Sequence, residues 1–271
     1  MYSGSLFAER LSLMYHSIIF ENKNGFHKNT WDDWHLIPTS KPFFNPPKTK
    51  EKYVELPGSD NVIDLCDAIK GYPVYENRVG KFEFLVDNGH SNFLDLYSEI
   101  EEWINGSKLK AILEDDPEFY YEGRFTLDEP KCDEHWNYIT IRYNTKPYKC
   151  RRTTTTEDWL WDPFNFETGV IQQAFLKDIQ VSVRTNISFT DKTLVGRQPV
   201  SPTFTVNSLD GNGIRVWLWN EELSINVERI FPDGTTTDRE YILSKISPDN
   251  VLYMSFSGYG TVSVDFRSGG L

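Results

Sequence analysis

Residues 31–78 limit the fold of this chain more than any other stretch, because proline, glycine and aromatic residues recur there at short intervals. Proline fixes φ and lacks a backbone donor, whereas glycine permits positive φ, so both residue types set backbone direction. None of the clusters in this stretch is a catalytic motif. The stretch therefore predicts a shaped scaffold rather than a reaction centre. In order, its clusters read WDDWHL (31–36), PPK (46–48), LPGSD (56–60), IDL (63–65) and GYPVYENR (71–78).

Residues 41–54, within this stretch, are rich in proline and lysine and show neither helical nor strand periodicity. A loop of this length without secondary structure is usually functional or disordered. Two interpretations stay open at this point. The segment is either an interaction loop or a solvated loop without a partner.

Composition favours a mainly β fold, because aromatic residues make up 15% of the chain and their flat side chains pack well on pleated strands. The formal net charge is −12, and the sequence has no long basic run. Tight nucleic-acid binding needs a basic footprint, so we predict none. An acidic surface around a pore would instead let DNA pass without sticking, and a channel lined by Lys and Arg would contradict this hypothesis.

Three cysteines, Cys66, Cys132 and Cys150, form an odd set without a CxxC pair, which favours a reducing compartment over a disulfide framework. No Cys or His lies at zinc-finger spacing, so we expect no metal or cofactor. The amino terminus does not resemble a signal peptide, and no apolar run approaches the roughly 20 residues of a membrane span. We expect a soluble chain that is made in the cytoplasm and has no membrane partner.

A hairpin is predicted near the amino terminus. Residues 15–20 have the character of a strand, and Asn24-Gly25 favours a type I′ turn, so residues 26–34 should return antiparallel. Residues 1–13 show a weak helical pattern, which indicates either a docking arm or a frayed terminus.

One helix is predicted at residues 93–105, where apolar side chains recur at helical spacing. Asn92 is the candidate N-cap, and Asn105-Gly106 supplies the stop. Together with a curled antiparallel sheet, this helix forms the predicted first domain. The sheet strands expected there are 81–86, 108–113, 119–127 and 138–144.

A composition break at residues 145–156 marks a domain boundary, which gives predicted domains 1–150 and 151–271. The second half alternates apolar and polar residues and has turn signals at short intervals, a pattern that predicts a β-sandwich. Four aromatic residues between 159 and 166 suggest a plug against the first domain. Strands are expected at 179–184, 203–206, 214–219 and 261–266.

Acidic clusters provide weak candidates for catalysis or metal binding. Adjacent Asp32 and Asp33 would point to opposite faces of a strand, so we interpret WDDWHL as a turn leading into a strand. The sequence DDPE (115–118) lacks the ligand spacing of an EF-hand and indicates a solvated turn. Asp60 and Asp64 could be imagined as a glycosidase pair, but their separation across a cleft cannot be derived from the sequence.

Trp217 and Trp219 share one face of the predicted strand 214–219, whereas Ile214, Val216 and Leu218 take the other. An aromatic pair on the outer face can pack against another layer or subunit, or it can stack on sugar rings. Both interpretations stay open.

The order of clusters in residues 31–78 resembles the amino-terminal domain of the distal tail protein (Dit) family of long-tailed, non-contractile bacteriophages. The shared sequence of features is a Trp-containing strand, a Pro-rich excursion, a Pro-Gly-Ser-Asp turn, an apolar-Asp-Leu step and a Tyr-x-Asn-Arg-x-Gly strand entry. Here the last motif is YENRVG at 75–80. The resemblance covers about the first 150 residues and returns more weakly in a closing hairpin at 259–271.

The resemblance implies a mainly β fold, with an N-terminal split-barrel-like β domain that carries one α-helix, followed by a galectin-like β-sandwich domain. It implies a structural virion protein and no enzyme: a homohexameric ring at the tail tip, assembled in the bacterial host cytoplasm. The implied partners are the tail tube protein, the tail-associated protein and receptor-binding proteins. In the family, the segment matching 41–54 helps to close the ring, and its removal should leave a folded monomer. The interface residues implied here are Pro42, Pro46, Pro47, Lys48, Lys50 and Lys52.

The alternative function is a carbohydrate-binding, lectin-like module for host attachment, carried by the second half with Trp217 and Trp219 as sugar or partner contacts. A glycan hydrolase is disfavoured because no convincing acid pair occurs.

Overall fold

The computed structural model describes residues 16–58, 60, 62–65, 73–87, 92–132, 136–157, 176–188, 195–221, 224–239, 241–244 and 251–271. The chain divides into two compact units, Met1–Pro46 with Asn77–Lys146, and Pro47–Glu76 with Pro147–Leu271. The predicted domain limits, 1–150 and 151–271, stay a prediction. The predicted arm at 1–13 and the aromatic residues at 159–166 lie outside the described residues.

Strands dominate the described residues, which confirms the mainly β fold class. None of the helices among these residues is long and apolar enough to cross a membrane. In chain order the elements are β1 (Ile18–Glu21), β2 (His27–Asn29), β3 (Leu36–Pro38), β4 (Tyr53–Glu55), β5 (Val62–Asp64), β6 (Arg78–Val86), α1 (Phe93–Ile104), β7 (Lys108–Leu113), β8 (Phe119–Leu127), β9 (Lys131–Cys132), β10 (Asn137–Thr145), β11 (Lys149–Arg151), β12 (Ile179–Ser188), β13 (Thr203–Ser208), β14 (Ile214–Asn220), β15 (Ile225–Phe231), β16 (Gly234–Thr237), β17 (Leu252–Asp265) and β18 (Gly269–Gly270).

The first unit contains an antiparallel sheet in the order β2-β1-β7-β8-β10-β6-β3, with β9 also paired to β10. The predicted hairpin at the amino-terminal end is confirmed, because β1 and β2 pair antiparallel. The predicted type I′ turn is wrong, since that turn needs positive φ at both Asn24 and Gly25, and of the two only Gly25 has it, at φ +83°. The Gly25 N–H donates instead to the Asn22 carbonyl at 3.1 Å, which closes a turn over residues 22–25. The return strand is shorter than predicted, because β2 ends at Asn29. Residues 30–34 form the turn that leads into β3, as the sequence predicts.

Helix α1 lies close to its predicted limits, and its buried residues Leu96, Ile100 and Ile104 belong to the core cluster of the first unit. This stripe forms because residues three to four positions apart share one helix face. The predicted N-cap is only partly correct. Asn92 occupies the cap position, but its side chain makes no capping hydrogen bond and donates instead to the carboxylate of Asp95.

The second unit contains the two-stranded hairpin β4-β5 and a sheet in the order β15-β14-β17-β13-β16, with β12 paired to β17. The 14-residue strand β17 pairs antiparallel with β14 through its first half and with β13 through its second half. Buried residues of these strands form one core cluster that includes Phe204, Val216 and Phe256. The alternation predicted for the second half of the chain therefore separates a core face from an outer face.

The predicted closing hairpin at 259–271 is wrong. Residues 259–261 continue inside β17, and the final strand β18 pairs with β11. Gly260 suits the middle of this strand because its φ is +142° and an added Cβ would lie 2.2 Å from the carbonyl oxygen of Asn207. The glycine therefore permits close strand pairing and does not mark a turn.

Candidate functional site

The segment predicted to be an interaction loop, residues 41–54, begins inside the core of the first unit. Pro42 is buried, and the ring of Phe44 stacks on Tyr121 with centroids 3.9 Å apart. Phe44 also makes an edge contact with Tyr143 at 4.7 Å, and the Tyr143 hydroxyl accepts a hydrogen bond from the Asn45 backbone N–H at 2.9 Å. The start of this segment is therefore anchored to its own chain.

The rest of the segment forms the outgoing side of a hairpin whose returning side ends at Glu76. An isolated antiparallel bridge joins Thr49 to Tyr75. Around that bridge, the Lys50 N–H donates to the Val74 carbonyl and the Glu76 N–H donates to the Lys48 carbonyl, both at 2.7 Å. The side chains of Pro46, Lys48, Lys50 and Lys52 are exposed, and Pro47 is half-buried. Of the residues predicted as interface contacts, only Pro42 is buried.

The β4-β5 hairpin presents apolar side chains to solvent. Tyr53, Val54, Leu56, Val62 and Ile63 are each between 40% and 54% exposed. Val54 and Ile63 are directly opposite each other in the register, so they lie on one face of the hairpin, whereas Val62 lies on the other. Isolated two-stranded hairpins are marginal in water, and contiguous exposed apolar groups mark interaction sites.

Sequence reasoning missed Val62 and Ile63. The available signal was the LPGSD turn, which allows the apolar residues after it to pair with those before it. Asp60 lies in a bend at the tip of this hairpin, in agreement with the Pro-Gly-Ser-Asp turn that the family resemblance implies.

The outer face of the second unit carries the two predicted tryptophans. Both Trp217 and Trp219 are half-buried on β14, whereas Ile214, Val216 and Leu218 are buried on its other side, as predicted. The registers of β12, β17 and β15 place further side chains in cross-strand rows on this outer face. One row is Arg184, Ser257, Arg215 and Ile230, the next is Asn186, Ser255, Trp217 and Glu228, and the third contains Tyr253, Trp219 and Asn226.

A cleft of about 360 Å³ lies in the first two rows, lined by Arg184, Arg215, Trp217, Glu228, Ser255 and Ser257. The Trp217 indole N–H donates to the side-chain oxygen of Asn226, and Tyr253 packs edge-on against the ring at 5.2 Å. Trp219 contacts the same tyrosine at 5.0 Å but does not line the cleft. Of the two tryptophans, only Trp217 lines this cleft, and sequence reasoning missed the charged residues beside it.

The two arginines that line the cleft differ in their partners. Arg215 forms an ion pair with Glu228 at 2.9 Å, and both side chains are more than half exposed. The Arg184 guanidinium donates from Nε to the hydroxyl of Ser255 at 3.0 Å and lies 5.9 Å from the Trp217 ring centroid. In the part of the chain that the structure describes, Arg184 has no carboxylate partner.

The acidic clusters make contacts that stabilise the first unit. The carboxylate of Asp33 accepts a hydrogen bond from the Asn29 backbone N–H at 2.7 Å. Asp115 contacts His16 at 2.9 Å and Lys41 at 3.1 Å. Burial would raise the pKa of the Asp115 carboxyl, but hydrogen bonds from Lys41 and His16 outweigh it and lower that pKa. No group of three or more His, Cys, Asp or Glu side chains suited to a metal ion occurs among the described residues.

Comparison with solved structures shows what the fold of this chain is similar to. The fold is similar to the crystal structure of SPP1 Dit (gp 19.1), which is described as a paradigm of the hub adsorption apparatus in phages that infect Gram-positive bacteria. The alignment covers 94% of this chain and 99% of the other, with a TM-score of 0.58 and 11% sequence identity. No protein-family model matches the chain, and no curated protein matches it. The similarity shows a Dit-like fold.

Proposed function

We propose that this chain is a structural protein of a phage tail tip, where copies of it form a ring that joins the tail tube to the receptor-binding apparatus. The observation that carries this proposal is the Dit-like fold, which extends over nearly the whole of both chains. The order of motifs in residues 31–78 supports it independently. The function is assembly and does not involve a chemical reaction. The protein would act in the virion after synthesis in the bacterial host.

The β4-β5 hairpin supports a ring of identical copies. A closed ring requires two different patches on each subunit that fit one another. The hairpin offers one such patch, because Val54 and Ile63 form an apolar pair on one face and both are exposed in the single chain. Burying such side chains between subunits favours the interface, because it removes apolar surface from water. A ring of six copies is the assembly implied by the family resemblance.

The acidic character of the chain fits a ring through which DNA passes. A net charge of −12 per copy would repel the phosphate backbone and limit sticking to the wall. The galectin-like domain, the tube protein above and the tail-associated protein below belong to the same proposal.

The test is the solution mass of the purified chain and of a hairpin variant, measured by light scattering. We expect six times the chain mass of 31.6 kDa for the natural sequence. The double substitution Val54→Ser/Ile63→Ser should give the monomer mass, because it removes apolar contacts without touching either core cluster. Leu209→Ser is the matched control, since Leu209 is exposed on the second unit outside the hairpin.

A monomeric natural protein would contradict the ring, and a hexameric double variant would contradict the assignment of the hairpin. Deletion of residues 41–54, the variant suggested by the sequence, is a poor test. It would remove Phe44 from the core together with the exposed part of the segment. Loss of assembly could then reflect misfolding, whereas the two serine substitutions leave the core intact.

A further inference from the structure

The cleft beside Trp217 has the features of a small ligand site. Its volume of about 360 Å³ falls within the roughly 300–1,000 Å³ that is typical of small-molecule sites. It lies on the outer face of the neighbouring strands β12, β17, β14 and β15. Ser255 and Ser257 of β17 lie between Arg184 of β12 and Trp217 of β14. We propose that this cleft binds an acidic saccharide, in the form of a pyranose ring that carries a carboxylate.

Trp217 provides the stacking surface. Its N–H bond to Asn226 and its edge contact with Tyr253 hold the indole in one orientation, so little side-chain entropy is lost when a ligand binds. The ring is half-buried and lines the cleft, where the apolar face of a pyranose can pack against it. Trp219, which lies outside the cleft lining, is not part of this site.

Arg184 gives the site its preference for an anion. Its guanidinium has one hydrogen bond to Ser255 and, within the described residues, no ion pair, so N–H donors of its planar fork are available. The planar fork of Arg matches a carboxylate with two parallel hydrogen bonds. With Arg184, Arg215 and Glu228 counted together, the lining carries one excess positive charge. This local excess occurs on a chain whose net charge is −12.

The remaining polar groups suit sugar hydroxyls, and little has to be broken for a ligand to enter. Glu228 can accept hydrogen bonds and Arg215 can donate them, while the Ser257 hydroxyl can do both. The Arg215–Glu228 pair is exposed to solvent, and exposed ion pairs contribute little to stability, so the pair can open at low cost. The Arg184 guanidinium carbon lies 5.9 Å from the centroid of the Trp217 ring, near the outer limit of about 6 Å for a cation–π interaction. A ligand that moves the guanidinium therefore breaks only a weak contact.

The experiment compares D-glucuronate with D-glucose, which differ only at the carboxylate carbon. Both would be titrated against the full-length protein and followed by saturation-transfer difference NMR. We expect glucuronate to bind about tenfold more tightly than glucose, because a charge-assisted fork is formed only with the acid. Arg184→Gln should abolish this preference, and Trp217→Ala should weaken both probes.

Arg239→Gln is the matched control, because Arg239 is exposed in the same unit but lies outside the cleft. It removes the same charge and should leave the preference unchanged. Equal affinity for both probes would overturn the anion preference, and absence of binding would overturn the site. An equal effect of Arg239→Gln would show that general charge is responsible. The proposal does not depend on ring assembly, so failure here leaves the solution-mass result unaffected.

Discussion

Replacement of Phe44 by alanine tests whether residues 41–46 are a structural part of the first unit. Phe44 is only 6% exposed and contacts Phe82, Tyr121 and Tyr143 through aromatic pairs. Truncating a buried phenylalanine removes apolar burial and leaves a cavity, which together cost about 3–5 kcal/mol. That is a large fraction of a typical domain stability of about 5–15 kcal/mol. The neighbouring Phe43 is 64% exposed, so Phe43→Ala should cost less than about 0.5 kcal/mol.

The assay is hydrogen exchange followed by mass spectrometry on peptides from β6, β8 and β10, which carry the residues that contact Phe44. These peptides report on the first unit alone. A loss of 3–5 kcal/mol corresponds to a decrease in protection of more than about 100-fold for amides that exchange by opening of the unit. If Phe43→Ala and Phe44→Ala gave the same small change, the segment would be a solvated loop and the anchoring argument would fail.

Two further substitutions test other details of the first unit. Because the pKa of Asp115 is lowered in the folded state, its stabilising contribution is present above the unfolded pKa of about 3.9 and is lost as the pH falls through the folded value. Asp115→Asn should therefore reduce the urea midpoint at pH 7, and its difference from the natural protein should shrink near pH 3. Gly123→Ala should destabilise the unit by about 1–3 kcal/mol, since the new Cβ would lie 2.3 Å from the Asn144 carbonyl oxygen.

The controls for these two variants follow from the same contacts. A constant difference between the Asp115→Asn and natural proteins from pH 7 to pH 3 would refute the proposed titration. Gly270→Ala should have little effect, because nothing lies within 4 Å of its added Cβ. Equal urea midpoints for Gly123→Ala and Gly270→Ala would show that the β8-β10 pairing tolerates the extra methyl group.

Local pattern was sufficient for several elements. The helix at 93–104 follows from apolar residues at helical spacing, and the two faces of β14 follow from strict alternation along residues 214–219. The hairpin near the amino terminus follows from the turn signal at Gly25, which adopts the positive φ that glycine permits. Each of these features depends on residues within a few positions of one another, which is why the sequence alone predicted them.

Other features depended on residues far apart in the chain. Pro42 and Pro46 belong to one proline-rich segment in the sequence, yet the first is buried and the second exposed. The difference arises because Phe44, between them, packs against Tyr121 and Tyr143, which lie 77 and 99 positions further along the chain. Likewise, residues 259–261 resemble a turn locally but continue a strand, because their partners in β12 and β13 are distant.

The sequence by itself determined the mainly β class, the single described helix and the outward direction of Trp217 and Trp219. These properties follow from side-chain periodicity, which is a property of the local chain. Only the tertiary structure decided that Val54 faces Ile63 across a hairpin, and that Arg184 lies beside Trp217 through the intervening strand β17. Strand pairing creates such neighbours, and its register is set by the burial of whole faces, so both candidate surfaces emerged only when the chain was folded.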